Sequence, residues 1–241
     1  MSGLNQQFTK LSGSKGSREF ESHILRREMF WYQLKPKTTH DFDELTDTYN
    51  SKYGNYDYGL DSRSLDKTFE YTFIKTAGDI SDKKVLICGA NSGYEINILS
   101  KLFPSSKITA VDISDEALSK ISDGFNKVHA NMEELPFKDK SFDVYINCRA
   151  IHSSDVDMDK ALYEAIRVTK DNIVISVSNG YMVDGKIVNG MYDYDLGKID
   201  IDTPLKVVGK IKETFKKNNY FTIDYSSEAE IFIVAVEQNS I

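Results

Sequence analysis

The chain has 241 residues, of which 40% are hydrophobic and 12% aromatic, and it contains four prolines. This composition is typical of an ordinary globular protein and excludes a largely disordered or fibrous chain. No run approaches the roughly 18–20 consecutive apolar residues of a membrane-spanning helix, and the first seven residues lack the basic-then-apolar layout of a signal peptide. We therefore expect no membrane segment and, by default, a cytoplasmic location.

Net charge and cysteine content indicate which ligands and cross-links to expect. The formal net charge is −7, which argues against a nucleic-acid partner because phosphate binding depends on lysine and arginine. The two cysteines, Cys88 and Cys148, each lie inside an apolar run. They are therefore predicted to be reduced core residues, with neither a disulfide framework nor a metal site.

The chain opens with a polar segment followed by an amphipathic one. Residues 1–17 are rich in glycine and serine, which predicts a flexible arm. Residues 18–34 place Phe20, Ile24 and Trp31 at helical spacing. This helix is interpreted as a lid that orders on substrate binding, as a contact in a homodimer or as plain packing, and the sequence leaves the three alternatives open.

A second helix is predicted over residues 64–77, where apolar residues again recur at helical spacing. The tyrosine-rich stretch over residues 40–58 is predicted to be irregular. Together these segments define an N-terminal helical cap over residues 18–80.

From residue 81 to residue 241, strand-like apolar runs alternate with helical patterns, which is typical of a mostly parallel sheet with helices on both faces. The last two runs are separated by only a few residues, so they must pair antiparallel. The predicted strands cover residues 85–88, 108–111, 127–130, 142–147, 173–177, 220–225 and 231–236. Residues 179–203 break the pattern and include the hairpin-prone pair Asp184-Gly185, which predicts an insertion over the active site.

A glycine loop and an acidic residue mark a candidate ligand site. Residues 89–93 follow the first strand and open a helix, which brings backbone N–H groups and the positive helix end close to a ligand. Asn91 stands where the dinucleotide fingerprint has its second glycine, which argues against a nicotinamide cofactor. Asp112 ends the next strand roughly 20 residues later, where a carboxylate can accept hydrogen bonds from ribose hydroxyls. It can equally cap the helix near Ser114, and both roles are compatible.

Four ordered segments resemble the motifs of class I S-adenosylmethionine-dependent methyltransferases. Residues 85–95 resemble their first motif and residues 110–114 their second. The segment from residue 131 to residue 144 is similar to the part that closes over adenine, and residues 161–168 are similar to the helix after the fourth strand. Upstream, residues 42–53 resemble the aromatic segment of the small-molecule branch of the family.

The resemblance implies a Rossmann-like α/β fold with a seven-stranded, mostly parallel sheet and an antiparallel last strand. It also implies S-adenosylmethionine as cofactor and methyl transfer to oxygen or nitrogen of a small molecule, such as a sugar, a nucleotide-linked intermediate or a natural-product precursor. No metal is implied. The cofactor-binding residues implied are Tyr49, Gly89, Ala90, Asn91, Gly93, Asp112, Ile113, Asn131, Met132, Asn147 and Cys148; for Tyr49, ordinary packing is an alternative role.

The sequence departs from the family pattern at four places. Ile87 stands where an acid is usual, and Asn91 replaces the middle glycine. Asn131 replaces the usual aspartate near the adenine amino group, but its side-chain oxygen can accept the same hydrogen bond. Residues 170–172 replace a Pro-Gly-Gly turn that carries no chemistry.

His152 is the first candidate for a catalytic base, if one is used. It follows the fourth strand at the carboxyl edge of the sheet, and histidine titrates near neutral pH. Lining the pocket or binding a backbone group would explain the residue as well. Arg149, Asp155 and Asp157 lie nearby in sequence as candidate substrate contacts, although a solvated loop would look the same.

Two other functions remain open from the sequence. A methyltransferase that acts on RNA or protein would need a basic face, which the linear sequence does not show. A member of the fold that binds the cofactor without transferring a methyl group is the second alternative, because fold alone does not fix function.

Overall fold

The computed structural model describes residues 41–53, 62–153, 155–183, 186–193 and 198–237. The arm and the helix predicted within the first 34 residues lie outside this part of the chain. Within the described residues, no helix has the length and apolar character needed to cross a membrane.

The centre of the fold is a seven-stranded sheet with the order β10-β11-β5-β4-β1-β2-β3. Its strands are β1 (Lys84–Cys88), β2 (Lys107–Asp112), β3 (Asn126–His129), β4 (Phe142–Cys148), β5 (Thr169–Ser178), β10 (Tyr220–Ser226) and β11 (Glu230–Glu237). Strands β1 to β5 run parallel to one another. Strand β11 runs antiparallel to both β5 and β10. This confirms the predicted, mostly parallel sheet with an antiparallel last strand.

Helices cover both faces of this sheet. The described helices are α1 (Phe42–Tyr53), α2 (Ser62–Leu65), α3 (Phe69–Ala77), α4 (Tyr94–Leu102), α5 (Asp115–Ser119), α6 (Met158–Val168) and α7 (Thr203–Lys217). Side chains of β4 alternate between the two cores, as the two-residue period of a strand requires. Tyr145 packs in the core beneath α6 and α7, while Val144 and Ile146 pack beneath α3 and α4.

The single helix predicted over residues 64–77 is wrong, because the structure contains two helices with a break at residues 66–68. The Asp66 carboxylate accepts hydrogen bonds from the Thr68 amide at 2.9 Å and the Thr68 hydroxyl at 2.8 Å. It also accepts hydrogen bonds from Ser227 and from the Ala229 amide, which lie between β10 and β11. Asp66 thus connects the break between α2 and α3 with the turn between β10 and β11.

The irregular stretch predicted over residues 40–58 is also wrong for residues 42–53, which form α1. Helix α1 is held by contacts with distant residues. The Asn50 side-chain oxygen accepts a hydrogen bond from the Ser114 hydroxyl at 2.7 Å, and its amide group donates to Asp115 at 2.7 Å. Tertiary contacts of this kind routinely override weak local propensity.

The insertion over residues 179–203 contains two short antiparallel hairpins. They pair β6 (Gly180–Val183) with β7 (Lys186–Asn189), and β8 (Met191–Asp193) with β9 (Lys198–Asp200). The first hairpin pairs Val183 with Lys186, and the predicted turn at Asp184-Gly185 lies outside the described residues. The residues that replace the Pro-Gly-Gly turn lie inside β5, because this strand begins directly after α6.

Candidate functional site

The loop after β1 packs so closely that its first position requires glycine. Gly89 has φ of +72°, and a Cβ atom there would overlap the Cβ of Ala150. The amides of Gly89 and Ala90 donate to the Val111 carbonyl oxygen at 2.8 and 3.0 Å. These bonds fix the loop against the end of β2, and the missing side chain leaves room for Ala150 on the loop after β4.

Asn91 explains how the loop does without its middle glycine. Its φ is +46°, in the left-handed region that asparagine adopts more readily than most residues. Its side-chain oxygen accepts a hydrogen bond from the Ser92 amide at 2.7 Å. Its own amide donates to Asp112 at 2.8 Å, so the loop and the acid form one unit.

Asp112 ends β2 and is only 6% exposed. One carboxylate oxygen accepts the Asn91 amide, and the other accepts the Ser114 amide at 2.9 Å. Burial raises the pKa of Asp112 to about 6. The Ile113 amide also donates to this carboxylate, and of its about four lone-pair positions at least one remains for a ligand hydroxyl. The cap of α5 is Ser114, whose hydroxyl accepts the Ala117 amide at 3.0 Å.

Asp112 lies on a cavity at the carboxyl edge of the sheet. The cavity and the solvent space at its mouth together amount to about 550 Å³. It is lined by six of the residues predicted to bind the cofactor: Tyr49, Gly89, Asp112, Ile113, Asn131 and Met132. The structure therefore brings together residues from the start, the middle and the end of the predicted site.

The other predicted residues lie behind this lining. Ala90, Asn91 and Gly93 belong to the loop and shape it. The Asn147 oxygen accepts the amides of Ala150 at 3.3 Å and Ile151 at 2.9 Å, which turns the chain after β4. Cys148 packs in the core, and burial raises the pKa of its thiol well above the usual range.

Tyr49 closes the cavity from α1. Its side chain is buried, and its hydroxyl forms hydrogen bonds with Asp155 and Ser153 on the loop after β4. Burial, reinforced by Asp155, raises the pKa of Tyr49 well above its ordinary value, so the hydroxyl keeps its proton. Leu45, one turn earlier on the same helix, also lines the cavity. The four-residue spacing of these two residues was the available signal for α1.

Asn131 and Glu133 form the wall opposite the glycine loop. The Asn131 side-chain oxygen accepts the Glu133 amide at 2.9 Å, and one lone pair remains for a ligand amino group. Glu133 in turn accepts the Asp157 amide at 2.9 Å, which joins this wall to the start of α6. Sequence reasoning missed Glu133 and Ser153 as cavity residues, because a carboxylate or a hydroxyl in a loop gives no pattern of its own.

His152 lies on the loop after β4, but the described residues that line the cavity do not include it. Its Nδ1 atom is buried and has no hydrogen-bond partner among the described residues. Burial and the nearby charge of Arg149 lower the pKa of His152 to about 3, so the ring is neutral at pH 7.

Arg149 itself adopts φ of +61°, an uncommon conformation for a residue with a side chain. Its Nη2 donates to the Ser178 hydroxyl at 2.9 Å, and its Nε lies 3.6 Å from a carboxylate oxygen of the fully buried Glu230. A second buried ion pair joins Arg63 to Glu95. Buried ion pairs carry a desolvation cost, and such groups concentrate at functional sites.

Comparisons with known proteins agree with this geometry. The family described as a methyltransferase domain matches residues 86–176. A malonyl-(acyl-carrier protein) O-methyltransferase of Dechloromonas aromatica is 30% identical over 101 residues, which cover 42% of this chain and 38% of that protein. The matches span between 32% and 43% of the length of the curated relatives.

Solved structures share the fold at low sequence identity. A SAM-dependent methyltransferase from Aquifex aeolicus has a TM-score of 0.56 at 14% identity, covering 82% of this chain and 98% of that one. The (4+2)-cyclase SpnF has a TM-score of 0.55 at 12% identity, covering 76% of this chain and 84% of its own. The matched domain, the sheet order and the glycine loop with Asp112 show that residues 86–176 are similar to the methyltransferase domain family and that the chain has the fold of class I S-adenosyl-L-methionine-dependent methyltransferases.

Proposed function

We propose that this protein transfers the methyl group of S-adenosylmethionine to an oxygen or nitrogen atom of a small molecule. The observation that carries the proposal is the buried Asp112, which lines the cavity together with Gly89, a position where packing admits no side chain. The residues present fit the cofactor. Asp112 would accept the ribose hydroxyls, and Ile113 and Met132 would contact the adenine.

The cofactor supplies the electrophilic methyl group, so the protein mainly binds, orients and excludes water. Tyr49 covers the cavity and keeps its proton, which makes it a hydrogen-bond donor and not a charged group. His152 is neutral and precedes Ser153, which lines the cavity; we propose that its ring accepts a hydrogen bond from an acceptor hydroxyl or amine. Its low pKa makes it a weak base, which favours positioning of the acceptor over full proton removal.

The acceptor side is proposed to lie where β4 and β5 end. Arg149, Ser178 and Glu230 meet there, and the insertion over residues 179–203 follows directly in the chain. We infer that residues 81–241 form the transferase domain and that the described helices α1, α2 and α3 pack on it. The rest of the cap predicted over residues 18–80 lies outside the described residues. The O-methyltransferase among the relatives supports oxygen as the methyl acceptor, and the net charge of −7 favours a small molecule over RNA.

Calorimetric titration with S-adenosylmethionine tests the cofactor site. Micromolar binding is expected for the native protein, and its loss is expected for Asp112→Ala. The control is Asp171→Ala, since Asp171 is exposed and its contact is an ion pair with Lys83 at 3.4 Å. Transfer of a labelled methyl group to a panel of alcohols, carboxylates and amines then tests the reaction. Absence of binding by the native protein would refute the proposal. Binding without transfer to any acceptor would favour a protein that binds the cofactor or catalyses a different reaction. The cyclase SpnF shares this fold.

A further inference from the structure

Helix α1 lies over the cavity although few of its side chains are buried. Leu45 and Tyr49, one turn apart, line the cavity. Among the α1 side chains that the structure describes, only Tyr49 is buried, and Phe42 at the start of the helix is 37% exposed. A helix of 12 residues is marginally stable in water on its own. The position of α1 therefore depends on its contacts with the rest of the fold.

A second row of α1 side chains contacts the β2 and β3 side of the cavity. Phe42, Thr46 and Asn50 are spaced four residues apart, so they lie on one face of the helix. The centroids of the Phe42 and His129 rings are 4.8 Å apart. The Thr46 hydroxyl forms a hydrogen bond with His129 Nε2 at 3.1 Å, and the same nitrogen lies 2.9 Å from the Ile113 carbonyl oxygen. This row connects α1 with the ends of β2 and β3.

Asn50 contacts the start of α5 through both ends of its side-chain amide. Its oxygen accepts the Ser114 hydroxyl at 2.7 Å and the Glu116 amide at 3.3 Å. Its nitrogen donates to the Asp115 carboxylate at 2.7 Å. Ser114 is fully buried, and its own amide donates to the Asp112 carboxylate at 2.9 Å. Through Ser114, Asn50 therefore connects α1 with the proposed acceptor of the ribose hydroxyls.

The other attachment of α1 lies across the cavity, on the loop after β4. The Tyr49 hydroxyl forms hydrogen bonds with Asp155 and Ser153, which also line the cavity. Helix α1 is thus attached on both sides of the cavity, mainly by polar side chains. Segments with few buried apolar contacts open locally without unfolding of the whole protein. Loss of one attachment should therefore make α1 open more often.

We propose that Asn50 is a positioning residue that holds α1 over the cavity and thereby slows release of the cofactor. The described residues that line the cavity do not include Asn50, so it acts through Leu45 and Tyr49 on the same helix. This inference rests on the proposed function, because the retained ligand is S-adenosylmethionine or its product. Both forms share the adenosine group, so both are expected to be retained.

Hydrogen–deuterium exchange of the ligand-free protein measures how firmly α1 is held. In Asn50→Ala, the amides of residues 42–53 are expected to exchange about tenfold faster than in the native protein, because hydrogen bonds to α5 are lost. The amides of β4 and β5 are expected to keep their native rates. The matched control is Ser51→Ala, since Ser51 is exposed on the same helix, and its exchange is expected to equal that of the native protein.

Release of tritiated S-adenosylhomocysteine into an excess of unlabelled ligand measures the consequence for binding. Asn50→Ala is expected to release the ligand about tenfold faster than the native protein and Ser51→Ala. Asn50→Asp places a second carboxylate against Asp115 and is expected to release as fast as Asn50→Ala. Combining Asn50→Asp with Asp115→Asn reverses the hydrogen bond between the two side chains, and this double variant is expected to restore slow release.

Three results would overturn the role of Asn50. They are native exchange of α1 in Asn50→Ala, equal acceleration of α1 and the central strands, and native release despite faster exchange of α1. Fast release by the double variant would likewise contradict the contact with Asp115. Absence of ligand binding by the native protein would refute the proposed function instead, since exchange of the ligand-free protein is measured independently.

Discussion

Protonation of Asp112 is expected to have opposite effects on cofactor binding and on folding stability. Ribose hydroxyls need the carboxylate as acceptor, so binding requires the ionised form. The fold in the absence of ligand favours the neutral form, because the group is 6% exposed and burial raises its pKa to about 6. A single side chain thus links the two properties in opposite directions.

The sizes of both effects follow from the raised pKa of Asp112. A rise in the pKa of Asp112 from 3.8 to about 6 corresponds to about 3 kcal/mol between the two protonation states. The folded protein binds this proton more tightly than the unfolded chain, so this contribution to the free energy of unfolding falls as the pH rises from about 4 to about 6. One pH unit below its pKa the group is about nine-tenths protonated, so cofactor binding should weaken about tenfold between pH 8 and pH 5.

Calorimetric titrations and denaturant unfolding at pH 5, 6, 7 and 8, on the native protein and on Asp112→Asn, measure both effects. The comparison with the variant is needed because other groups titrate in the opposite sense. The lowered pKa of His152, for example, reduces stability as the pH falls through the usual histidine range. As the pH rises, the native protein should gain cofactor affinity and lose free energy of unfolding relative to the variant. Identical pH profiles for the two proteins would refute the reasoning.

Three further predictions concern the loop, the core and the acceptor side. Gly89 has a positive φ, and the Cβ of Gly89→Ala would overlap Ala150, so this variant should lower the free energy of unfolding by about 2–4 kcal/mol and abolish cofactor binding. Gly209 lies inside α7 with open space around it, so Gly209→Ala should instead raise the free energy of unfolding by about 0.5–1 kcal/mol. Phe232→Ala removes a fully buried ring and should cost about 3–5 kcal/mol, whereas Phe221→Ala, half exposed on β10, should change stability by about 0.5 kcal/mol or less. His152→Gln should lower kcat at least tenfold and leave the calorimetric Kd for the cofactor within twofold; an unchanged kcat would show that the ring only fills space.

The sheet could be predicted because its strands are short apolar runs bounded by polar turns. Asp112 could be placed because the carboxyl ends of parallel strands meet at one edge of a sheet. Helix α1 was missed because its position depends on the hydrogen bonds of Asn50 with Ser114 and Asp115, more than 60 residues away. No local pattern reports such contacts.

The buried ion pairs of the fold could not be predicted for the same reason. Arg63 pairs with Glu95, and Arg149 pairs with Glu230 from the last strand. Each partner alone would be expected on the surface, since charged residues are rarely buried unless paired. The contact of Asn147 with the cofactor stays a prediction; the part its oxygen plays in turning the following loop is one that only the backbone geometry reveals.

A crystal structure of the protein with S-adenosylhomocysteine would show whether Asp112 binds the ribose of the cofactor. We expect both ribose hydroxyls within about 3.2 Å of the Asp112 carboxylate, and the adenine against Ile113 and Met132. A ligand bound elsewhere, or a ribose that makes no hydrogen bond with Asp112, would contradict it.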